Sequence, residues 1–137
     1  MPAAVVHRLS IFPLSIPLRG PVVHATSRRS VADPVVVAVE LRNGIVGYGE
    51  TLPRPYVTQE TVESVVQAIQ TTFIPAVIGF HAQSFPDALE AIEALPWHDN
   101  EGRSVPAARA VVELALLDSS LRAYHRDLDA VVQWMGL

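Results

Sequence analysis

The sequence predicts an α+β domain, a three-stranded antiparallel meander followed by a bundle of about three helices. Three observations predict it. Apolar residues alternate with a period of two in two stretches of the first fifty residues. An Asn-Gly pair joins the second stretch to a third apolar run. Beyond residue 58 the apolar spacing lengthens to that of a helix.

In the first strand Val5, His7, Leu9 and Ile11 alternate with Val6, Arg8, Ser10 and Phe12. Pro13 and Pro17 then limit pairing, because proline has no N–H to donate. Residues 17–33 read as a loop. The second strand, 35–41, sets Val35, Val37, Val39 and Leu41 on one face, and Asn43-Gly44 predicts a type I′ hairpin into Ile45–Gly49. Thr58 reads as the N-cap of the first helix, with Glu60 beside the positive end of its dipole. Val62, Val65, Val66, Ile69 and Phe73 follow helical spacing until Pro75. Ser84 and Asp87 resemble a capping box before Ala88, Leu89, Ile92 and Leu95. Ser104 is the expected cap of a third helix, about 105–125, with an apolar stripe of Ala107, Ala110, Val111, Leu114, Leu117 and Leu121. Residues 127–137 read as a tail. The whole chain, 1–137, reads as one domain, with strands over about 4–50 and helices over about 58–126.

Composition narrows the chemistry. Half of the 137 residues are apolar and 18% are charged, which suits one packed domain. All ten basic residues are arginine, and there is no cysteine. A lysine base, a Schiff base, a thiolate nucleophile and a disulfide framework are therefore excluded. A net charge of -4 argues against a nucleic-acid partner. The N-terminus lacks a basic region ahead of a long apolar core, and no apolar run approaches the ~18–20 residues that span a bilayer. A soluble cytoplasmic protein without a membrane partner is expected.

Gly44, Gly47 and Gly49 superficially suggest a phosphate loop, but Pro53 and Pro55 intervene before the next helix. A hairpin turn with close backbone packing is the better reading. The five histidines form no tight metal pair, and His98-Asp99-Asn100-Glu101 reads as a solvated interhelical loop. Glu113 and Asp118 each have an arginine four residues away, Arg109 and Arg122, and point ~140° apart around a helix. Structural ion pairs or interdomain hydrogen bonds suit them better than acid–base catalysis. Arg19, Arg28, Arg29 and Arg54 sit in irregular segments, where guanidinium groups grip carboxylates bidentately. With His24, Glu50 and Tyr56 they form the candidate substrate-binding set.

Three stretches carry a family resemblance. They are Phe12-Pro13-Leu14-Ser15-Ile16-Pro17-Leu18-Arg19, the run from Val35 through Glu50 with its Asn43-Gly44 and Gly47-Tyr48-Gly49-Glu50, and Ala107 through Asp118 with Glu113-Leu114-Ala115-Leu116-Leu117-Asp118. Their order and spacing resemble the N-terminal capping domain of mandelate racemase and muconate lactonizing enzyme relatives, in the enolase superfamily.

That resemblance implies a cap over a modified TIM barrel. Barrel carboxylates would hold magnesium, and barrel lysines or histidines would remove a proton α to a substrate carboxylate. Two cap segments, matching about 18–32 and 50–57 here, would close the site and select the substrate. Their arginines and Tyr56 suggest an anionic or amino-acid-like substrate, such as a dipeptide epimerase uses. A barrel takes ~250 residues, and these 137 hold none. The expectation is a cap without catalysis of its own and with no metal ligands: a natural truncation, one part of a split enzyme, or an expressed fragment. Its expected partners are the barrel or a second copy bound through exposed apolar surface around Trp134-Met135.

Overall fold

Val35, Val37, Val39 and Leu41 project from a strand at most 1% exposed, and the core is built on them. In the computed structural model, which describes residues 3–24 and 27–137 (for 21, 22, 24 and 27–30 the backbone alone), this strand is β4, Val35–Leu41. It lies between β1, Ala4–Pro13, and β5, Val46–Thr51, both antiparallel to it. A two-residue strand, β6 (His81–Ala82), extends the sheet beyond β1, giving the order β5-β4-β1-β6. The expected meander is present, and the helices follow it in sequence.

Residues 17–33 differ from the expected loop. Along this stretch β2, Ile16–His24, and β3, Ser27–Ala32, pair as a two-stranded sheet of their own, and the part of the expected loop at 25 and 26 lies outside the described residues. The pairing register shifts between Pro17 and Val22, where a proline without an N–H interrupts the ladder. That irregular centre hides the strand period from the sequence.

The first strand also departs from simple alternation. Its register shifts between Val6 and Arg8, leaving His7 exposed, and Val6 joins Leu9 and Ile11 against the core. The β4–β5 turn is a hairpin, though not type I′. Gly44 alone has positive φ, at 88°, and its N–H donates to Leu41 O at 2.9 Å, as in a three-residue turn ending on a glycine bulge.

Six helices follow: α1, Pro55–Thr58; α2, Val62–Ala68; α3, Ile74–Ile78; α4, Phe85–Glu93; α5, Pro106–Ala123; and α6, Leu128–Met135. Thr61 rather than Thr58 caps α2, exchanging hydrogen bonds with Ser64 in a capping box. Thr58 instead ends α1. Pro75 does not stop the helical run, because a π-helical turn at Ile69–Phe73 carries α2 into α3. Proline leaves the carbonyl four residues earlier without its helical donor, and Asn100 Nδ2 donates to that atom, Thr71 O, at 3.1 Å. Ser84 caps α4 as expected, accepting from Asp87 N–H at 3.2 Å, while the Asp87 carboxylate accepts from Gln83 N–H at 2.8 Å.

Ser104 does not cap α5. The N-cap position is Val105, which has no side-chain acceptor, and the carboxylate of Glu60 serves instead. The buried face of α5 is Ala108, Val111, Val112, Ala115, Leu116 and Ser119, not the stripe expected from the sequence. Of that stripe Val111 is buried, while Leu114 faces solvent and Leu117 and Leu121 are half-buried. The segment assigned to a tail contains α6, capped by the Asp127 carboxylate on Ala130 N–H at 3.3 Å.

Candidate functional site

Pro13, Val35 and Thr51 are partners across three adjacent strands, so β1 and β5 end at the same edge of the sheet. The hairpin leaves the sheet after β1 and returns at β4, and Leu14 N–H donates to Pro34 O at 2.9 Å across its base. The segment after β5 leaves from the neighbouring position. Meander topology therefore puts the origins of the two irregular segments, 18–32 and 50–57, side by side.

Arg19 lies on β2 and is exposed. Backbone pairing puts His24 opposite Ser27, Val23 opposite Arg28 and Val22 opposite Arg29, at the far end of the hairpin. The side chains of His24, Arg28 and Arg29 lie outside the described residues. Glu50 is exposed on β5 opposite Val36. Arg54 is the exposed N-cap of α1, and its carbonyl accepts from Val57 and Thr58 N–H at 2.9 and 3.0 Å. Tyr56, 39% exposed, lies within α1. Glu50, Arg54 and Tyr56 thus share one short segment, and Arg19 belongs to the neighbouring arm.

This second segment is held at both ends. Before it, Gly47 and Gly49 bring β5 into backbone contact with α5. A Cβ on Gly47 would stand 2.6 Å from Ala115 O, and one on Gly49 would stand 2.8 Å from Ala115 N. After it, Glu60 is only 4% exposed and accepts from Ala107 N–H at 2.9 Å and Ala108 N–H at 3.0 Å. A carboxylate suits those two orphan N–H groups and the positive end of the helix dipole. Glu60 therefore serves α5, which starts forty-odd residues downstream, and not the helix that follows it directly in the sequence.

The other polar groups have structural duties. Asp99 accepts from Glu101 N–H and Arg103 N–H, both at 2.9 Å, and from Arg103 Nε at 2.8 Å. The Arg103 backbone N–H, outweighing partial desolvation and joined by the Arg103 side chain, holds the Asp99 carboxyl below its usual range. Arg109 is 4% exposed, pairs with Glu113 at 2.5 Å, lies 3.8 Å over the Trp97 ring and donates to Glu93 O at 3.1 Å. Asp118 pairs with Arg122 at 3.1 Å and accepts from Tyr48 N–H at 2.9 Å on the outer edge of β5. Both acids of α5 are therefore tied to structural partners, as their spacing suggested.

Among the described residues no group of three histidine, aspartate or glutamate side chains converges to hold a cation. Among them, too, no helix is long and apolar enough to cross a membrane.

The model of the mandelate racemase / muconate lactonizing enzyme N-terminal domain family matches residues 7–135. This chain belongs to that family. A curated relative, the N-succinyl-L-Arg/Lys racemase of Bacillus cereus, is 32% identical over 110 residues, covering 80% of this chain and 28% of the relative. The aromatic dipeptide epimerase of Herpetosiphon aurantiacus is 29% identical over 123 residues, covering 90% of this chain and 33% of the relative. The crystal structure of the B. cereus racemase superposes with a TM-score of 0.70 at 26% identity, over 88% of this chain and 30% of that one. A dipeptide epimerase from Enterococcus faecalis, solved with Mg and L-Leu-L-Tyr, gives 0.66 at 25% identity, over 82% of this chain and 30% of that one. The chain spans about a third of the length of these relatives, and the fold it shares with them is the N-terminal domain.

Proposed function

We propose that this domain is the substrate-selecting lid of a cytoplasmic racemase or epimerase whose catalytic half is a barrel outside these 137 residues. The carrying observation is the Pro13–Val35–Thr51 row, which makes two irregular segments rise from one edge of the sheet. A lid built this way covers a site from two sides while its core stays fixed. N-succinyl amino acids and dipeptides, named for the relatives, are both N-acylated amino acids with a free carboxylate. Arg19, Arg28, Arg29 and Arg54 suit an anionic substrate of that class, with His24, Glu50 and Tyr56 shaping the rest of the enclosure. Proton abstraction and magnesium would then belong to the barrel, and the lid would bind, orient and exclude water.

The test has two parts. The chain alone, given magnesium and N-acyl amino acids, should exchange no α-proton; exchange above the metal blank would reject the reading. Grafted in place of the matching domain of the B. cereus racemase, the chain should give an active hybrid. In that hybrid Arg19→Ala and Arg54→Ala should raise KM about tenfold with kcat little changed. Unchanged KM for both variants would remove these arginines from the site.

A further inference from the structure

The second irregular segment has little of its own to hold it. Helix α1 is four residues long, buries none of them and has no side-chain N-cap. A single helical turn does not persist alone in water, because it fixes several residues in return for very few hydrogen bonds. Behind its C-terminal end lies a hollow of about 290 Å³, walled largely by polar residues that include Thr58, Gln59, Ser64, Gln67 and Thr71. Burial of its own side chains therefore does not set where α1 points. Its flanks must do so.

Pro53 and Glu60 are buried, and the described residues between them are not. Gln59, which joins α1 to Glu60, adopts φ 63°, a left-handed conformation that a residue with a Cβ keeps only where its surroundings dictate it. Glu60 supplies that constraint. Each of its carboxylate oxygens accepts one N–H of α5, from Ala107 and Ala108, and α5 is itself pressed against β5 at Gly47 and Gly49. A continuous path thus runs from the sheet through α5 to the end of α1, and Arg54 and Tyr56 lie just beyond it. The carboxylate is essential to this grip. An amide would offer one acceptor oxygen for two N–H groups and turn its own donors towards the second.

We propose that Glu60 is a positioning residue for the lid: its grip on α5 sets the orientation of α1, and so where Arg54 presents its guanidinium to a substrate carboxylate. This inference rests on the lid reading above. Chymotrypsin cleavage of the intact chain after Tyr56 tests the grip without a barrel, with circular dichroism confirming that each variant is folded. Glu60→Gln should speed that cut at least fivefold over Ile92→Val, a core trim elsewhere that controls for global unfolding. Glu60→Asp keeps the charge one methylene short, should fall between parent and Glu60→Gln, and decides the matter if the latter does not fold. In the racemase hybrid Glu60→Gln should raise KM about tenfold with a smaller change in kcat. Added to Arg54→Ala it should raise KM little further, because both act through one guanidinium. Parent-like cleavage in both Glu60 variants, or KM effects that multiply, overturn the proposal and leave Glu60 a cap of α5 only. A hybrid that is inactive, or indifferent to Arg54→Ala, overturns the lid reading and this proposal with it, whatever the cleavage shows.

Discussion

Asp99 closes the loop that feeds α5, holding two backbone N–H groups and one guanidinium N–H with a single carboxylate. These donors favour the charged form, so its acidity in the folded chain exceeds that in the unfolded chain. The contribution to stability is then complete above the unfolded value, about 3.9, and is lost as pH falls through the lowered folded value. Asp99→Asn should accordingly lower the urea midpoint at pH 7, and the gap from the parent should close towards pH 3. A gap that stays constant with pH would refute the assignment. The sequence showed this residue in a polar interhelical loop and nothing more, because its partners depend on a turn two to four residues long. Glu60 was harder still. Its chemistry, an acid at a helix N-terminus, was readable from type and context. The helix it serves is set only by the tertiary fold.

At the level of elements, β4 and the start of α4 were fully legible, since each rests on local periodicity and local capping. Helix α5 was legible in extent and misread in orientation. With apolar residues on most sides, no single stripe points to the sheet, and only packing against β5 selects Val111, Ala115 and Ser119. The glycines of β5 supply the complementary signal. Alternate positions 47 and 49 lack a Cβ on the face where β4 carries Val39 and Val37, which is where a helix backbone comes closest. Gly47→Ala should therefore cost about 1–3 kcal/mol, because its Cβ meets helix backbone that has no rotamer to change. Gly79→Ala is the matched control, since nothing lies within 4 Å of its Cβ and its φ of -85° suits alanine. Denaturant titration of the two variants should show a large loss in the first and almost none in the second. Equal losses would mean that the sheet–helix contact is looser than its geometry.

The whole molecule separates into a packed body and an arm. Val35, Val37, Val39 and Leu41 of β4, the buried faces of the helices and the two-residue β6 all belong to the body. No described residue between 14 and 33 belongs to that core, and β2 and β3 ladder only with each other. This division explains why the α+β class was readable from patterns while the arm was not. Core strands advertise a buried face by alternation, whereas a hairpin whose described side chains lie outside the core carries no such constraint. It also suits the proposed lid, which needs an arm set apart from the core. Replacing residues 15–33 with a two-residue Asn-Gly turn from Leu14 to Pro34 should use the existing hydrogen bond between those residues as its base. Shortening the connection costs little chain entropy, so the melting temperature should move by no more than about 5 °C, roughly 1 kcal/mol. In the racemase hybrid the same replacement should abolish discrimination among N-acyl amino acids while the cap stays folded. A cap that unfolds would make the hairpin a structural element, and the two-segment lid would lose its first half.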